Sequence, residues 1–169
     1  MEFSTISNNI VEQDLDTIIL SVFESDDSLK GLVLDVDVAL NGSISAILSR
    51  GDHKGKLREV TVIYTSGQIP THRIILVGLG PEKDFNVDCI RHASAAAAVR
   101  ARQLGACNVA SIIHGIEQST ISAKDAVRAA TEGTMLALYA FNKYKSENEL
   151  GQIESVSFMK SEGIKSEDL

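Results

Sequence analysis

Short β-branched runs recur along this chain, separated by longer stretches with helical spacing, and that alternation limits the folds open to it. Phe3–Ile6, Asp16–Phe23, Arg58–Tyr64, Arg73–Val77, Val109–Ile113 and Ile153–Met159 read as strands. The second of these is too apolar to face water on either side. Gly31 to Ser49 carries Leu40, Ile44, Ile47 and Leu48 at helical spacing, with Gly51 as its stop signal. Asn86 or Asp88 opens a long alanine-rich helix that ends near Gly105, because a short polar side chain there accepts orphan amide hydrogen bonds and opposes the helix dipole. Ser122-Ala123-Lys124-Asp125 resembles a capping box and opens a last helix through about Tyr144. Its apolar face is predicted to be Val127, Ala130, Met135, Leu138 and Phe141.

Strands interleaved with helices predict a layered α/β domain. Ser66-Gly67-Gln68-Ile69-Pro70 leaves only a turn between two of the strands, so an antiparallel hairpin and a mixed sheet are expected. The 169 residues suit one domain over 1–159. Residues 160–169 are polar and read as a tail or the start of a linker.

Charge excludes some functions. The net charge is −7 and the basic residues are scattered, whereas phosphate backbones are bound by clustered Lys and Arg. Neither nucleic acid nor an anionic membrane surface is an expected partner. Cys89 and Cys107 form no Cys-x-x-Cys pair, and the Met1-Glu2-Phe3 start lacks the basic and apolar regions of a signal peptide, so a cytoplasmic location is expected. No apolar run approaches the roughly 18 residues that span a bilayer.

The candidate chemistry is thin. Val77-Gly78-Leu79-Gly80-Pro81 follows a strand and precedes a helix, as a dinucleotide-binding turn does. The third glycine of that fingerprint is replaced by Lys83, and Pro81 removes an amide donor, so a tight strand exit is the preferred reading. Of four histidines, His53, His72, His92 and His114, no two have the i, i+4 spacing of helix-borne metal ligands. His53 and His72 are expected in solvent. Asp26 with Asp27, and Asp35 with Asp37, read as loop or helix-cap residues and not as acid/base pairs. Cys89 near a helix start could acidify, but a buried cysteine acting as a small apolar group is commoner. Ala93 to Ala98 permits close backbone approach to a neighbour. No residue emerges as catalytic, cofactor-binding or metal-binding.

Four segments, in order, resemble the N-terminal domain of the leucyl (cytosol) aminopeptidase family. They are Asp37–Ile44 with Gly51–Lys56, the hairpin ending in Arg73–Gly80, the alanine-rich Asp88–Ala101, and Ala129–Lys145 with its Glu132-Gly133 and Tyr139-x-Phe141-x-x-Tyr144-Lys145. The resemblance implies a three-layer α/β/α, macro-domain-like fold preceding a separate catalytic domain. That domain would bind two divalent metals (zinc, manganese or magnesium) and release N-terminal residues from peptides, in a homo-hexamer. The family's metal ligands lie in an Asn-Thr-Asp-Ala-Glu-Gly-Arg segment and in Lys and Asp residues upstream of it, none of which occurs here. The chain alone is therefore expected to be inactive, its partners being its own catalytic domain and neighbouring subunits. The alternative is a free-standing macro-like module that binds ADP-ribose or a related nucleotide.

Overall fold

The computed structural model describes residues 1–6, 9–24, 28–139 and 152–159. Six strands form one sheet: β1 (Glu2–Ile6), β2 (Thr17–Val22), β3 (Val60–Tyr64), β4 (Arg73–Gly78), β5 (Asn108–Ile112) and β6 (Ser155–Met159). Their order across the sheet is β1-β6-β5-β2-β4-β3. Every neighbouring pair is parallel except the β3–β4 hairpin, so the sheet is mixed as expected. β2 lies in the middle with all six residues buried, which is why its sequence shows no alternation.

Alternate residues of each strand feed two cores. Ile18, Leu20, Ile74, Leu76 and Ala110 face one way, toward helices α1 (Gly31–Ala39) and α2 (Ser43–Arg50). Ile19, Ile75, Val77, Val109 and Val156 face the other, toward α3 (Val87–Gln103) and α4 (Ala123–Leu138). The result is three layers, helices over sheet over helices. Each fully buried Ile or Leu contributes about 1.5–3 kcal/mol relative to exposure.

The segment Gly31–Ser49 is two helices, not one. Asn41 (φ 52°) and Gly42 (φ 79°) turn left-handed, and the chain bends by 105° between α1 and α2. Asp37 stabilises the break. Its buried carboxylate accepts from the Ile44 amide (2.7 Å), the Ser45 amide (3.1 Å) and the Ser45 hydroxyl, capping α2 from the preceding helix. No single helix among the described residues is long and apolar enough to cross a bilayer.

α3 and α4 begin as their sequences predict. Asn86 accepts from the Asp88 and Cys89 amides, and Ser122 accepts from the Asp125 amide while donating to its carboxylate. The buried face of α4 differs from the expected one. Ala126, Ala129, Ala130, Gly133 and Thr134 are buried, Val127 and Leu138 are half-buried, and Met135 is 53% exposed. α3 explains it: the two helices are so close that a Cβ on Gly133 would lie 2.4 Å from the Arg91 carbonyl oxygen. Only small residues fit along that line, and the bulky ones are displaced to the flanks. Phe141 and Tyr144 lie outside the described residues, as do Asp26, Asp27 and the tail from 160.

Candidate functional site

In open α/β sheets, ligands bind beyond the carboxyl ends of the strands where the chain leaves neighbouring strands in opposite directions. β2 leads to α1 on one face and β5 leads to α4 on the other, so that place lies between them. A cavity sits there, lined by Ser21 and Phe23 after β2, Lys30 and Val33 at α1, and Ile113 and Glu117 after β5. Its volume is about 30 Å³, enough for a water molecule or two and far below the roughly 300–1,000 Å³ of small-molecule sites.

The chain's own groups close this crevice. The loop after β5 comes so near to α1 that a Cβ on Gly31 would meet the Glu117 carboxylate, 2.2 Å from Oε1. On the other side, a Cβ on Gly115 would strike the Phe85 ring at 2.3 Å, and Phe85 stacks edge-on against Phe23 with centroids 5.0 Å apart. The glycine at each place is required by a close approach.

The glycine turn after β4 is a crossing point and not a phosphate cradle. The Gly78 amide donates to the Glu59 carbonyl (2.9 Å), Leu79 to Val22 (2.9 Å) and Gly80 to Gly55 (2.8 Å). With those amides engaged and Pro81 lacking one, the turn has no donor left for an anion. A Cβ on Gly78 would lie 2.1 Å from the Lys56 carbonyl oxygen, because the segment 55–59 passes directly over the strand end. The Glu59 carboxylate fixes that segment by accepting from the Lys54 and Lys56 amides at 2.9 and 3.1 Å.

His53 in this segment is buried, contrary to the expectation of solvent exposure. It lies under the crossing loop, with Nδ1 2.9 Å from the Thr61 hydroxyl. Burial holds its pKa below the usual histidine value, against the opposing pull of Glu59. His72 is exposed, 4.0 Å from Asp16, and His92 is exposed on α3. His114 is wholly buried after β5, and burial pushes its pKa down to about 4. Among the described residues, no three of His, Cys, Asp and Glu come together to hold a metal ion. Cys89 is buried in the first turn of α3, its thiol 3.7 Å from the Asp84 carbonyl oxygen, and Cys107 is half-buried.

A wider open groove beside α2, of about 750 Å³, is lined by Phe23, Leu34, Leu48, Ser28, Ser45, Ser49, His53 and Lys54, and two of its three serine hydroxyls are engaged within the fold. Ser45 donates to Asp37, and Ser49 donates to the Ala46 carbonyl. Two features of this region escape sequence reasoning. Asp37 caps a helix seven residues away across a bend, beyond any local capping signature, and Glu117 approaches Gly31 from 86 positions along the chain. A glycine at the first position of a helix was the one available signal for the second contact.

Fold and site together define a three-layer α/β domain whose ligand crevice is filled by its own side chains. Residues 19–148 match the model of the cytosol aminopeptidase family, N-terminal domain. The chain therefore belongs to the cytosol aminopeptidase family, through that family's N-terminal domain. A probable cytosol aminopeptidase of Alkaliphilus oremlandii is 34% identical over 146 residues, which are 86% of this chain and 29% of that protein. The chain thus spans about 29% of such a relative's length. Among solved structures, a tomato leucine aminopeptidase superposes with TM-score 0.75 and 23% identity, covering 95% of this chain and 32% of that one. The macrodomain of Mycobacterium tuberculosis DarG superposes with TM-score 0.71 at 14% identity, covering 93% and 97%. Both likenesses concern the fold, and the α/β/α, macrodomain-like architecture is the expected one.

Proposed function

We propose that this chain is a non-catalytic accessory domain of a metallo-aminopeptidase, acting on assembly and on access to an active site carried elsewhere. The observation that carries the reading is the match of residues 19–148 to the N-terminal domain model, with less than a third of the relative's length spanned. In this reading residues 1–159 form the domain, and the rest leads toward the catalytic part. The catalytic part would hold two divalent metals (zinc, manganese or magnesium), remove N-terminal residues from peptides in the cytoplasm, and assemble as a homo-hexamer. The described residues of this chain do not suit such metals, so no hydrolytic step is assigned to them.

The domain contributes surface. At the end of α4, Met135, Leu136 and Tyr139 are 53%, 76% and 75% exposed, an apolar patch where the chain leaves the described core toward residue 140. Such a patch suits contact with another domain or subunit. The test joins this chain to the catalytic region of a relative and compares it with a version lacking 1–159. The expected result is loss of the high-order oligomer in sedimentation and a fall in kcat/KM on long peptides. Unchanged assembly and kinetics would sink the proposal.

The nucleotide-binding alternative has the macrodomain likeness behind it. Against it stand the small cavity and the engaged amides of Gly78, Leu79 and Gly80. Calorimetry with ADP-ribose separates the two: a flat titration is expected, and saturable binding would reverse the preference.

A further inference from the structure

Behind the crevice loop, the core between sheet, α3 and α4 contains a mostly apolar pocket, with no charged residue in its lining, where four polar side chains gather. Ser94 of α3, Ser111 of β5, His114 and Thr134 of α4 meet there among Ile19, Val109, Val156 and Phe158. All four polar residues are at most 5% exposed. Burying a hydroxyl or an imidazole nitrogen without a partner is costly, so the hydrogen bonds of four polar side chains gathered here need an account.

Hydrogen-bond bookkeeping supplies part of it. The Ser111 hydroxyl has one proton, and it donates to the Ile112 carbonyl at 2.9 Å. The same oxygen lies 3.4 Å from His114 Nε2, where it can only accept. With the Ser111 proton given to Ile112, a bond at this contact requires the ring proton on His114 Nε2. Nδ1 is left as a bare acceptor, fully buried and without a protein partner among the described residues. The Ser94 hydroxyl is buried and unpartnered as well. Both residues line one cavity of about 10 Å³, close to the space one water requires. An acceptor that needs a donor, and a hydroxyl that can do either, are the partners a bridging water uses.

We propose that this cavity binds one ordered water molecule, which donates to His114 Nδ1, bonds the Ser94 hydroxyl, and so anchors the loop that closes the crevice. The consequence follows from the chain path. His114 immediately precedes Gly115 and Glu117, the residues that pack against Phe85 and Gly31. Tying His114 to α3 through the water fixes where that loop begins. His114 and Ser94 are thus positioning residues for the crevice, and Thr134 closes the pocket from α4.

The test is NMR on the whole chain labelled with nitrogen-15. Long-range proton–nitrogen correlations should show the Nε2–H tautomer of His114 at neutral pH. Cross-relaxation should connect a long-lived water with protons of Ser94 and His114. In Ser94→Ala the water contact should vanish while the tautomer persists, and amide exchange at Ile116 and Gln118, which bond to Ile113 and Gly115, should speed up roughly tenfold. Amides of β1 and β6 should keep their rates. An Nδ1–H tautomer would overturn the proposal, as would a folded protein with no such water contact. Equal acceleration at every amide would overturn the anchoring role, since it would report general destabilisation. His114→Asn, which keeps an acceptor near the Nδ1 position, should retain the water, and its loss there would count against the bridge.

Discussion

At the residue scale, three titratable side chains tie stability to pH. His114 has a folded pKa of about 4 against 6.5 when free, and no charged residue lines its pocket. The unfolded chain takes up a proton near pH 6.5 that the folded chain refuses until about pH 4. Stability is therefore full above 6.5 and declines through that window, by up to about 3 kcal/mol from this group. His53 shifts in the same direction, so it adds with the same sign. Urea titrations at pH 7.5 and 5 should show the loss, and His114→Gln should flatten it. An equal decline in that variant would assign the effect elsewhere. Asp16 works at lower pH. Its carboxylate accepts from the Asn108 and Cys107 amides at 2.8 Å each, and the Asn108 bond above all holds its pKa below the ordinary 3.8. Its contribution is present above that value and fades as pH falls beneath it. Asp16→Ala should cost about 1 kcal/mol at pH 7, discounted for its partial exposure, and less at pH 3, read from the same denaturation curves.

At the element scale, the contact between α3 and α4 rests on small side chains. Ala is a better helix former than Gly by about 1 kcal/mol, so on propensity Gly133→Ala should stabilise α4. The added Cβ, however, would meet a backbone carbonyl that cannot rotate away. Overpacking of this kind costs about 1–3 kcal/mol, and here the helices would have to separate along their length, so the clash outweighs the propensity gain. A lowered urea midpoint with an unchanged slope is the expected result, and a raised midpoint would show that α3 and α4 can part cheaply. The Arg91–Glu132 and Arg128–Glu132 pairs bridge or lie along the same helices at 2.8 and 2.9 Å. Those side chains are at least a third exposed, where such pairs contribute little, so apposition of alanines sets the packing.

At the scale of the whole molecule, the crevice where related topologies accept ligands is filled from within. Thermal melts of the chain with ADP-ribose, with zinc or with a chelator should therefore share one midpoint. A ligand that binds only the folded state raises stability by about 2.7 kcal/mol at a hundred times its dissociation constant, several degrees for a domain of this size. A shift with nucleotide would mean that the loop carrying Glu117 opens, and a shift with zinc would mean that a ligand set assembles outside the described residues.

The strands, the hairpin, the caps of α3 and α4 and the close helix approach implied by Ala93 to Ala98 were all legible in the sequence. Each depends on periodicity or on residues a few positions apart. What stayed hidden depends on contacts between distant segments. The break at Asn41-Gly42 looked like the interior of an amphipathic helix until Asp37 folded back to cap α2. His53 looked solvent-bound in its Gly/Lys-rich loop, and was buried because that loop crosses the end of β4. Met135 fell on the predicted apolar face and is exposed, because α3 leaves no room for it. The identity of side chains along the chain determined which elements form. Only tertiary structure decided which polar groups lose their water, because burial depends on what arrives from elsewhere in the chain.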